Sequence, residues 1–171
     1  MTFMYVQMFN YYATENLYPA FVAGLKYNVS VKEKGILIKL NCYSAKIHIL
    51  IDEITRRIKN IVENAEESVF NLLKAESKKK YCNQLMQGES TIDDILDDIL
   101  EEKCISIYER YLTVDTLRFE DFQKFAGKFL KNLKIQMLAQ GNITKKQSIE
   151  FAEQICRNLD CNPIEDVSID D

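Results

Sequence analysis

The sequence contains one histidine (His48), no tryptophan, two prolines and five glycines in 171 residues. Each scarcity excludes something. A hydrolytic zinc centre takes about three protein ligands and usually draws two of them from histidine, so a lone His48 leaves it short. Ser-His-Asp and Cys-His mechanisms also lack motif context: there is no Gly-x-Ser-x-Gly, and the nearest cysteine, Cys42, stands six positions from His48 outside any such motif. Gly24, Gly35, Gly88, Gly127 and Gly141 are scattered, which excludes a glycine-rich phosphate loop. So few glycines and prolines leave little room for linkers, and the length suits one domain with a real core. No apolar run approaches a membrane span, and the start Met-Thr-Phe-Met-Tyr-Val lacks the charged flank of a signal peptide. The net charge of −4 does not supply the basic face that nucleic acid requires. The expectation is a soluble, cytoplasmic chain with neither membrane nor nucleic acid as a partner.

Cysteine is present but unpatterned. Cys42, Cys82, Cys104, Cys156 and Cys161 are odd in number and include no Cys-x-x-Cys, which fits free, mostly buried thiols in a reducing compartment. Cys156 and Cys161 are near enough in sequence to bridge, but a helix end between them makes free thiols the expectation.

What is there alternates between two periods. Phe3, Met4, Met8, Tyr11 and Tyr12 recur at helical spacing from the first residue, and the helix runs to about Ala23 with no residue before it to cap it. From Leu25 the period becomes two: Leu25, Tyr27, Val29 and Val31, then Ile36, Ile38, Leu40 and Cys42 around a turn at Gly35, predict a β-hairpin. Ser44 is placed to cap a helix whose stripe is Ile47, Leu50, Ile51, Ile54, Ile58, Ile61 and Val62. A second helix over about 66–86 turns Val69, Phe70, Leu73, Tyr81 and Leu85 inward. A third carries Ile92, Ile95, Leu96, Ile99 and Leu100, and a fourth over about 119–130 carries Phe122, Phe125 and Phe129. Leu133 to Met137 alternates as a third strand, and Thr144-x-x-Gln147 is a capping box opening a last helix. The class is α+β: helices on one face of a small, mainly antiparallel sheet, as a single module over 1–162 with an acidic tail over 163–171. Three strands are few for so many helices, which predicts a missing partner strand and an exposed edge open to a homodimer contact.

Two clusters invite a metal reading. His48 and Asp52 share one helix face at one-turn spacing, but opposite the apolar stripe, where a surface contact is the plainer reading. Asp93, Asp94, Asp97, Asp98, Glu101 and Glu102 line a helix without the Gly-enabled turn of a calcium loop, so a solvated acidic face is expected there. The residues alone offer no catalytic, cofactor-binding or metal-binding set.

Two stretches resemble a known family. Tyr18-Pro-Ala-Phe-Val-Ala-Gly24-Leu25-Lys-Tyr27, running into the hairpin, resembles a segment of the insulinase/pitrilysin metallopeptidases. Leu138-Ala-Gln140-Gly141-Asn142-Ile143-Thr144 resembles a later segment of the same module, in the same order. Glu33-Lys-Gly35-Ile-Leu-Ile38 and the Gln-Gly-Asn turn are similar to the nardilysin-like branch of that family. The resemblance implies four related α+β modules closing around a peptide chamber, with zinc held by His-x-x-Glu-His in the first. This chain resembles the third, which holds no zinc of its own, and His48 matches no ligand. The resemblance also implies that the strands missing from the sheet are N-terminal. The fourth module sets an Arg seven residues before a Tyr; Ala20 and Tyr27 stand at the related positions here, so that role does not carry over.

The function expected is a non-catalytic structural module of a zinc metalloendopeptidase that helps form the peptide chamber. Its partners would be the neighbouring modules and the peptide substrate, and zinc would reside in the parent's first module. Tyr27 on the hairpin is the candidate peptide-facing residue, against the plainer reading that it packs in the sheet. The alternative is a stand-alone α+β protein-interaction module without enzymatic activity.

Overall fold

The computed structural model describes residues 1–32, 35–87, 105–131 and 133–161, with Ile92 and Leu96. The rest of the acidic repeat, Cys104 and the tail over 163–171 lie outside the described residues. Helix α1 (Thr2–Val22) is the hub. Met4, Tyr5, Val6, Met8, Phe9, Ala13 and Leu17 are all buried, so its first half is apolar nearly all round, as a helix enclosed by neighbours must be. Gly24 closes it at φ 83°, where the chain reverses: Gly24 N–H bonds the Phe21 carbonyl and Leu25 N–H the Ala20 carbonyl, each at 3.0 Å.

That reversal launches β1 (Lys26–Lys32), which pairs antiparallel with β2 (Gly35–Asn41) in the register Tyr27↔Leu40, Val29↔Ile38 and Val31↔Ile36. Tyr27, Val29, Ile36 and Leu40 pack on the core beneath. Helix α2 (Ile47–Asn64) buries Leu50, Ile51, Ile54, Ile58 and Ile61, as its stripe predicts. Ser44 does not cap it. Ser44–Lys46 forms a 3-10 turn in which Lys46 N–H bonds the Tyr43 carbonyl, so the backbone takes over and α2 begins one turn later.

Helix α3 (Glu67–Leu85) buries Val69, Phe70, Leu73 and Tyr81. Helix α4 (Ile107–Val114), for which the sequence periodicity gives no sign, packs on α3 through Ile107 and Val114 against Tyr81. Helices α5 (Phe119–Phe129) and α6 (Lys145–Leu159) complete the described elements. The Thr144 capping box forms as expected, with Gln147 N–H 3.3 Å from the Thr144 hydroxyl oxygen and Thr144 N–H 2.9 Å from Gln147 Oε1.

The fold class is α+β, but the expected third strand is absent from the sheet, which has two strands among the described residues. Leu133 and Ile135 do turn to the core while Lys134 and Gln136 face out. Alternation reports which face is buried; a strand also needs a partner ladder, and β1 and β2 pair with each other.

Candidate functional site

Tyr27 sits on β1 with its ring edge-on to Phe9, centroids 6.4 Å apart and planes at 89°. The ring thus belongs to the packing of the hairpin on α1. Burial pushes its phenol pKa up, and the positive charge of Arg57 on α2 opposes that shift. Arg57 is half-buried and paired, together with Arg56, to Glu53. Its Nε is enclosed and makes no hydrogen bond among the described residues. Sequence reasoning missed Arg57 because it comes from a different element, thirty positions downstream of Tyr27 by numbering.

His48 and Asp52 are both exposed on α2, and α6 has claimed them. Gln154 donates its amide to the His48 carbonyl at 3.0 Å and to Asp52 Oδ1 at 2.6 Å. Asn158 donates to the same Asp52 oxygen at 2.7 Å and to the Thr55 hydroxyl at 2.9 Å. The Gln154 and Asn158 bonds hold the Asp52 carboxyl below its ordinary pKa, with smaller help from His48 and Arg157. The Asp52 carboxylate and the His48 backbone carbonyl are thus held in the polar seam joining α2 to α6. A shallow groove of about 490 Å³ runs along this seam, lined by Ser44, His48, Glu150, Phe151 and Arg157 among others. A second hollow of about 350 Å³ lies over α5 between Lys124, Phe125, Lys128 and Phe129. Among the described residues no group of three or more His, Cys, Asp or Glu is placed to hold a metal. No helix among them is long and apolar enough to cross a membrane.

Several large apolar side chains are left in solvent: Tyr18, Phe21 and Val22 at the end of α1, Tyr43 after the hairpin, and Leu138 at 90% exposure.

The described residues form an α+β module built around a single hub helix, α1. Comparison with known proteins gives the family. Residues 1–113 match the family described as "Middle or third domain of peptidase_M16", and the chain belongs to that family. It is 28% identical to human nardilysin over 95% of its own length, which is 14% of that protein. It is 26% identical to the Arabidopsis thaliana protein named "Insulin-degrading enzyme-like 1, peroxisomal" over 91% of its length, 16% of that relative. A Schizosaccharomyces pombe relative whose name includes "zinc protease" is 20% identical over 95% of the chain and 17% of its own length. The chain thus spans about one seventh of the length of the relatives it matches.

Proposed function

We propose that this chain is a non-catalytic wall module of an M16-type zinc metalloendopeptidase, in which a neighbouring module supplies the zinc. The observation that carries this reading is the match of two thirds of the chain to the middle or third domain of the family. Zinc in the parent follows the printed name of one relative, and peptidase activity follows the family. The exposed apolar residues at the end of α1 and at Leu138 suit contacts with neighbouring modules of one polypeptide. Among the described residues neither β1 nor β2 pairs with a further strand, which suits strand addition from those modules or from a second copy. Peptide contact is assigned to the hairpin face, with Tyr27 on β1 as the candidate peptide-facing residue.

A turnover assay on the purified chain tests this. With a quenched-fluorescence peptide, the chain gives the buffer rate with and without chelator, and binds no zinc by atomic absorption. Chelator-sensitive cleavage by the chain alone contradicts the non-catalytic reading.

A further inference from the structure

Helix α6 ends in a reversal that brings two thiols together. Asp160 adopts φ 54° and ψ 37°, and it is the one non-glycine with positive φ among the described residues. A left-handed residue at a helix end folds the chain back over its own last turn, so that the residue after it lies on the residue five positions earlier. The end of α1 shows the same relation, with Gly24 left-handed and Leu25 over Ala20. At the end of α6 the corresponding positions are Cys161 and Cys156. The Cys161 thiol lies 3.8 Å from the Cys156 carbonyl oxygen and donates to it, and it also interacts with the Cys156 side chain. A disulfide requires Cα atoms within about 4.4–6.8 Å, a window such a compact reversal can meet.

We propose that Cys156 and Cys161 are a disulfide-forming pair, closed by a disulfide oxidant such as oxidised glutathione and reopened by thiols. Both are free thiols here. Cys156 is half-buried whereas Cys161 is 9% exposed, so oxidant reaches Cys156 first. The Cys156 thiolate attacks one sulfur of oxidised glutathione, forming a mixed disulfide and releasing one glutathione thiolate. The Cys161 thiolate then attacks the Cys156 sulfur and expels the second glutathione. Two electrons pass to the oxidant, and the two cysteine protons end on two glutathione thiols. Burial and the adjacent Cys156 push the Cys161 thiol pKa up, which keeps it the second to react. The closed loop contains Asn158, the residue that bonds Asp52 and Thr55, so oxidation acts on the seam between α2 and α6.

The chain reports on this bond directly. Trypsin cuts after Arg157, between the two cysteines, so the peptide 147–157 and the peptide starting at Asn158 stay joined only through a disulfide. After equilibration of the 171-residue chain in glutathione redox buffer, acid quench and alkylation, the joined peptide is expected. It should vanish with reductant and in Cys156→Ser, and persist in Cys42→Ser and Cys82→Ser. Closure should be favoured at least about tenfold over the same chain in urea, and Asp160→Gly should keep that advantage while Asp160→Val loses it. Glutathione remaining on Cys156 without closure, pairing with another cysteine, or equal closure in urea each overturns the proposal.

Discussion

Phe122 is fully buried where three helices meet, its ring centroid 5.5 Å from Phe70 on α3, 6.4 Å from Tyr5 on α1 and 6.3 Å from Phe119 on its own helix. Replacing it with alanine removes a phenyl whose transfer from water contributes about 2–3 kcal/mol. The vacated space adds to this at about 24 cal/mol per Å³ to the extent that the flanking rings fail to close in, for a total of about 4 kcal/mol. With a urea slope of about 2 kcal/mol per M, the unfolding midpoint of Phe122→Ala should fall by about 2 M at unchanged slope. Phe125, one turn along α5, stacks on Phe129 at 5.2 Å but is half-exposed, so Phe125→Ala should cost about 1 kcal/mol. Equal losses at the two positions, or a Phe122→Ala loss below about 1.5 kcal/mol, refute the placement of α5 against α1 and α3.

Further consequences are open to the same denaturation assay. Tyr5 donates its buried hydroxyl to the Ile58 carbonyl at 2.6 Å, so Tyr5→Phe should cost about 1 kcal/mol. Ser106→Ala and Thr144→Ala each remove a capping box, at about 1 kcal/mol apiece. Gly24→Ala places a Cβ at φ 83° and should destabilise by about 1–2 kcal/mol. The pKa of Asp52 is lowered in the fold, so its contribution is present above its ordinary carboxylate value and is lost as pH falls through the folded value. Because the site is exposed, Asp52→Asn should flatten that acid limb, below the ordinary carboxylate value, by less than about 0.5 kcal/mol.

The fold was legible where a residue pattern needs only local physics. The α2 stripe, the hairpin alternation and the Thr144 box each state their own structure, because burial face and cap geometry are set within a few residues. Helix α4 was legible too, in Ser106-Ile-Tyr-Glu109, but eight residues hold too little apolar repeat for periodicity to show it. The 133–137 segment shows the limit from the other side: its alternation is real, yet strand pairing is a property of two segments. The site divides in the same way. His48 and Asp52 could be placed on a surface face from spacing alone. Their partners Gln154 and Asn158 lie more than one hundred residues away, as does nothing in the local pattern around α2 foretell. The electrostatic influence of Arg57 on Tyr27 likewise joins two elements, α2 and β1, that no local pattern connects.

The most direct test of the account is to sequence the native transcript through and beyond the codon for Met1. The account predicts a reading frame that continues upstream into a module carrying His-x-x-Glu-His. A stop codon immediately before Met1 contradicts it for this product and leaves a stand-alone α+β interaction module in its place.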